Sequence, residues 1–103
     1  MNKNKFDKEI AEFRKSYEHK TPIQVYNDYY IISFMENYYT MIISDGFINW
    51  DDYNYLLEWL LQFENPLHFL YDEWLKADGA FDQDWDSMFD FILQIYEDCS
   101  KNN

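Results

Sequence analysis

Glycine, proline, cysteine and positive charge are all scarce in this chain, and each scarcity removes a class of chemistry. Two glycines and two prolines among 103 residues leave no glycine-lined loop to position a substrate, and carboxylates without such a pocket do not make an active site. No catalytic residue and no cofactor are therefore expected. A single cysteine, Cys99, permits no internal disulfide and fits a reducing compartment. Glu97 and Asp98 beside it are expected to raise its pKa and leave the thiol inert. His19, His68 and Cys99 are widely spaced singles, which gives no cluster for a transition metal. No apolar run approaches the roughly 20 residues that span a bilayer, and Met1–Lys5 leads into an amphipathic segment instead of the apolar core of an export signal. A soluble cytoplasmic protein is the expectation.

Calcium is the nearest approach to a metal motif. Asp45-Gly46-Phe47-Ile48 with Asp52 resembles the second half of an EF-hand loop, glycine at the sixth place and an acid at the twelfth. The first and third places are Met41 and Ile43, which offer no oxygen to a hard cation. Asp82, Asp84 and Asp86 fail the other way, with Ser87 at the sixth place and Leu93 at the twelfth. No metal site is expected.

Positive charge is both scarce and uneven. The chain holds eight Lys and Arg against twenty Asp and Glu. Residues 1–20 carry six bases and four acids, a net of +2; residues 21–103 carry two bases and sixteen acids, a net of −14. A field of that sign repels nucleic acid and anionic membranes and speeds encounter with cationic proteins. It also serves solubility alone in many proteins.

Aromatic residues, by contrast, are abundant: nine Phe, ten Tyr and four Trp. Each can bury roughly 150–250 Å², more than one small core can hold, so several tyrosines belong at the surface. Aromatic residues beside carboxylates are also what interfaces use as anchors.

The apolar spacing is helical throughout. Lys3–Glu18 places Phe6, Ile10, Phe13 and Tyr17 on one narrow stripe, with Lys5, Glu9, Lys8 and Glu12 on solvated faces. Thr21-Pro22-Ile23-Gln24 is a capping box that starts a second helix running to about Ser44. That helix is apolar over most of its circumference, which predicts a central position with tyrosine hydroxyls at the rim. Asp45-Gly46 ends it, and Asn49 starts a third helix over Trp50–Phe63. Asn65-Pro66 starts a fourth, ending at Asp78-Gly79; a fifth begins at Asp82 or Asp84, with Trp85, Met88, Phe89, Ile92, Ile95 or Tyr96, and Cys99 on one side, Asp86, Asp90 and Glu97 near one line on the other, and a frayed tail from Ser100 to Asn103. The prediction is a single all-α domain, a compact bundle of five helices with short connections.

One stretch departs from ordinary helix design. Tyr71–Asp90 contains Asp72, Glu73, Asp78, Asp82, Asp84, Asp86 and Asp90 against the single base Lys76, with Tyr71, Trp74, Phe81, Trp85 and Phe89 interleaved. Like charges one turn apart cost a few tenths of a kcal/mol each, so a nearly one-signed stretch asks for a reason. The candidate partner-binding residues are Asp72, Glu73, Trp74, Asp78, Asp82, Asp84, Trp85, Asp86 and Asp90, with Trp74 or Trp85 as an anchor if its ring is exposed.

A nucleic-acid mimic supplies such a reason. Duplex DNA carries one charge per about 1.7 Å of axis, so fourteen charges match about 24 Å of duplex, comparable with the roughly 30 Å diameter of a domain this long. In Asp72-Glu73-Trp74 and Asp82-Gln83-Asp84-Trp85-Asp86 the chain resembles, in general character, the small acidic inhibitors that phages and mobile elements direct against host nucleases, the anti-CRISPR and anti-restriction classes. The resemblance implies a basic protein partner, a nuclease or other nucleic-acid-binding protein, and no direct contact with nucleic acid. An immunity protein or antitoxin that blocks a basic toxin nuclease fits the same physics. A regulatory or interaction module, a homodimer through exposed Tyr and Trp with its charge serving solubility, fits the composition equally.

Overall fold

The computed structural model describes residues 3–44, 46–77 and 84–101. Six helices follow in order: α1 Asn4–Lys15, α2 Pro22–Asn27, α3 Tyr29–Ile43, α4 Asn54–Leu61, α5 Pro66–Lys76 and α6 Trp85–Lys101. No strand occurs among the described residues, and the expected all-α architecture is the one observed.

The centre is α3, which buries Phe34, Met35, Tyr38, Met41 and Ile42. α1 lays Phe6, Ile10 and Phe13 into the core, as its stripe predicts, and α5 adds Leu67, Leu70 and Trp74. Phe34 joins α3 to α5: its ring stacks on Tyr38 at 4.1 Å between centroids and meets Tyr71 and Trp74 at 5.3 Å each. α4 pairs with α6 through Tyr55 and Trp59 against Tyr96 at 5.3 and 5.2 Å, while the turn before α4 adds Tyr53 against Phe89 at 5.0 Å. Phe69 then ties α5 to α4, stacked on Phe63 and edge-on to Trp59. Ring contacts of this kind are worth about 0.5–1.5 kcal/mol each beyond the area they bury.

Several predicted boundaries move, each for a local reason. The helix expected over 22–44 breaks at Asp28, whose backbone leaves helical geometry at φ −99°, ψ 20°. There the Asp28 carboxylate accepts the Tyr17 hydroxyl at 3.0 Å. No residue of α2 is buried, and Ile23 and Tyr26 in α2 and Tyr29 and Tyr30 in the first turn of α3, placed by their spacing in a central helix, are exposed. The helix expected from Trp50 begins only at Asn54, because the Trp50 indole N–H is drawn inward to donate to the Ile42 carbonyl at the end of α3, at 2.9 Å. Residues 50–53 wind instead as turns on the Asn49 carbonyl, which accepts from Asp52 and Tyr53. α1 ends at Lys15, short of Glu18, while Ser100 and Lys101, expected to fray, remain helical.

Three side chains contradict their predicted settings more sharply. Glu9 was expected on a solvated face and is buried at 3 % exposure. Its carboxylate accepts the backbone N–H groups of Leu67 and His68 at 2.8 Å each and meets His68 Nδ1, so α1 caps the N-terminus of α5. Lys5, also expected in solvent, donates to the Leu61 carbonyl at 2.7 Å. Tyr38 does not reach the rim: its hydroxyl is buried without a hydrogen-bond partner, and burial pushes its pKa well above the usual tyrosine range. Tyr39 does reach the rim, where it donates to Asp7 at 2.7 Å beneath Arg14.

Candidate functional site

α6 presents the clearest acidic surface. Its start is built by Asp84, whose carboxylate accepts both the backbone N–H of Ser87 at 2.9 Å and its hydroxyl at 3.0 Å. These bonds hold the Asp84 pKa below the usual carboxylate range, the Ser87 N–H being the largest cause. Asp84 is thus a helix cap. Buried Met88, Phe91, Ile92 and Ile95 fix the rotation of the helix, and Phe91 belongs to this core face although the stripe predicted from sequence omitted it. At about 100° per residue, Asp86, Asp90 and Glu97 fall within about 40° of each other on the opposite side, and all three are exposed.

The remaining predicted residues separate. Asp72 is exposed on the outer side of α5. Glu73 is half-buried and accepts from Lys76 at 3.1 Å. Trp74 is buried at 7 % exposure against Phe34 and Tyr71, which removes it as a surface anchor. Trp85 is half-buried with its ring edge-on to Phe47 at 5.1 Å, so it too packs against its own chain. Asp78 and Asp82 lie outside the described residues. Of the stretch's described acids, Asp72, Asp84, Asp86 and Asp90 are exposed, and the helical period of α6 aligns Asp86 and Asp90 with Glu97.

Counter-charges are few. Among the described residues the ion pairs are Arg14 with Glu36 and Lys76 with Glu73, and His68 Nδ1 lies in hydrogen-bond contact with Glu9. The Arg14 pair is bidentate, at 2.8 and 2.6 Å, and joins α1 to α3. None of these pairs involves Asp72, Asp86, Asp90, Glu97 or Asp98.

A cleft of about 310 Å³ between α4 and α6 lies beside the C-terminal end of that stripe. Tyr55, Trp59 and Tyr96 wall it, with the rings of Tyr55 and Trp59 inclined at 60° and 84° to that of Tyr96. Glu58 stands at its edge, held by a 3.1 Å hydrogen bond from the Asn54 amide. Cys99 forms part of the lining, and its thiol pKa is raised by burial first and then by Glu73 and Asp98, against a lowering from Lys76. The thiol stays protonated, although the acids responsible are not both the sequence neighbours named above. Aromatic faces beside a carboxylate are the chemistry that receives a guanidinium or ammonium group.

The sequence reading missed this cleft because Tyr55, Glu58 and Tyr96 lie outside the acidic stretch. A signal was present in the four-residue step from Tyr55 to Trp59, which puts two rings on one helix face. No group of three or more His, Cys, Asp or Glu side chains converges as a metal site among the described residues. No protein-family model, curated protein or solved structure matches the chain.

Proposed function

We propose that this chain is a non-catalytic binding protein that occupies the nucleic-acid-binding surface of a basic protein, a nuclease foremost, in place of nucleic acid. The observation that carries this reading is the α6 stripe: three exposed carboxylates to which no cation among the described residues is paired, on a helix whose other side is anchored in the core. From Asp86 to Glu97 the stripe spans roughly 16 Å of helix axis. One strand of duplex DNA places about five phosphates over that length, so the stripe matches part of one strand. The α4/α6 cleft adds a seat for one Arg or Lys of the partner. The overall dimensions, 41 × 29 × 25 Å, suit a groove or channel that normally holds a nucleic acid.

The test has two stages. Partners are captured from host lysate and identified, and the binding kinetics of the captured protein are then measured with the wild-type chain and with an Asp86→Asn/Asp90→Asn/Glu97→Gln variant. A basic nucleic-acid-binding partner, displacement by an unlabelled DNA or RNA duplex, and an on-rate that falls with added salt and falls about tenfold in the variant are the expected results. An acidic partner, salt-indifferent binding, or a variant that binds as fast as wild type overturns the reading. Lys8→Gln, on the basic helix, serves as the control and leaves binding unchanged.

A further inference from the structure

α2 contributes no buried residue to the core. Ile23 is 73 % exposed, Tyr26 80 %, Tyr29 61 % and Tyr30 68 %, with Val25 at 38 %. Isolated helices this short are not stable on propensity alone, so local bonds hold it. Thr21 Oγ1 accepts from the Gln24 N–H at 3.2 Å, Gln24 Oε1 accepts from the Thr21 N–H at 2.9 Å, and Tyr17 holds Asp28 at the far end. The fold builds and caps a helix in order to expose its apolar side.

We propose that α2 and the first turn of α3 form the self-association face of this protein, and that the occupant is a second copy of the same chain. Two observations select that occupant. The first is charge. Residues 15–30 carry Lys15 and Lys20 against Glu18 and Asp28, no net charge in a chain of net −12, so copies meeting here avoid the repulsion that any approach through the acidic faces incurs. A cationic partner finds little to attract it at the same place.

The second observation is area. At roughly 150–250 Å² per ring, the exposed parts of Tyr26, Tyr29 and Tyr30 amount to roughly 300–500 Å², before Ile23 and Val25 are added. That reaches the size of the largest apolar patches on monomers and supplies more than a third of the about 800 Å² per partner in a standard interface. A two-fold pairing brings the same patch from each copy together, and Tyr26, Asn27, Tyr29 and Tyr30 line a groove that a ring of the second copy can enter.

The proposal does not depend on the binding role given to α6, and salt separates the two. Self-association through a neutral apolar face of an acidic protein strengthens as salt screens the net charge, whereas binding to a cationic partner weakens. Sedimentation equilibrium of the full chain, from low micromolar to near-millimolar concentration, should show the mass rising from one chain to two, at lower concentration in higher salt. Tyr26→Lys/Tyr30→Lys should hold the one-chain mass across the range with unchanged far-UV circular dichroism and melting temperature, because neither ring packs in the core. Tyr26→Phe/Tyr30→Phe should dimerise within about threefold of wild type. A wild-type chain that stays monomeric throughout, a Lys variant that dimerises as wild type does, or a patch that binds phosphatidylcholine vesicles while the chain remains monomeric overturns the proposal.

Discussion

A carboxylate buried as deeply as that of Glu9 is costly unless its oxygens are satisfied, and Glu9 is satisfied by two backbone N–H groups and a histidine. Its removal leaves those N–H groups buried without an acceptor. Glu9→Ala is expected to cost about 1–3 kcal/mol, lowering the melting temperature by roughly 4–8 °C per kcal/mol in a domain of this size. Glu9→Gln keeps one acceptor oxygen and should fall between the two. A thermal melt followed by circular dichroism at neutral pH checks both. Tyrosines give a second prediction at this scale. Burial, then the hydrogen bond to Asp28, pushes Tyr17 up to about 12, and Tyr38, Tyr39 and Tyr71 are also raised. The folded state therefore holds these protons more tightly than the unfolded chain, so the stability they confer is complete below about pH 10 and is lost as pH rises through about 12. Tyrosinate absorbance and far-UV circular dichroism, titrated together, should show the last tyrosines ionising as the helices melt. Full ionisation near pH 10 with the helices intact would contradict this.

Among the helices, α2 and α5 begin as predicted: α2 through the adjacent Thr21-Pro22 and Gln24, α5 through Pro66 at its first position, with the distant Glu9 in place of Asn65 accepting its first free N–H groups. Other boundaries were not legible because their causes are distant in sequence. Nothing near Trp50 announces that its indole belongs on the Ile42 carbonyl, and nothing near Asp28 says that Tyr17 will hold it. The candidate site divides the same way. The stripe Asp86, Asp90 and Glu97 was legible from helical period, whereas the burial of Trp74 depends on Phe34, forty residues earlier. The dependence of α2 on local bonds makes it separable. Thr21→Ala removes one side of the capping box, worth about 1 kcal/mol. Amide exchange over residues 22–28 should rise severalfold while the global melting temperature moves by less than about 2 °C, since α2 buries nothing. An equal loss of protection in α3 and α5 would show α2 to be coupled to the core.

For the molecule as a whole, the dominant force beyond the core is self-repulsion. Its net charge of −12 is relieved among the described residues by only two Lys or Arg ion pairs, both substantially exposed, and exposed pairs contribute about 0–1 kcal/mol. Repulsion among the remaining acids opposes compaction. Added sodium chloride should therefore raise the melting temperature steadily as the screening length falls from about 30 Å at 0.01 M to about 8 Å at physiological ionic strength. A chain stabilised mainly by surface ion pairs would show the opposite slope, and a differential scanning calorimetry series in salt distinguishes them.

The contacts that α1 makes to the connection between α4 and α5 also govern the order in which the chain can become complete. Lys5 finds Leu61, and Glu9 finds Leu67 and His68, across more than fifty intervening residues. During synthesis α1 can meet α3 early, through Arg14 with Glu36 and Asp7 with Tyr39, but Lys5 and Glu9 stay without their partners until residues 61–68 have been added. At roughly 5–20 residues per second that interval lasts roughly 3–12 s. α1 is therefore a helix whose buried carboxylate nascent-chain chaperones have several seconds to meet before its own partners exist.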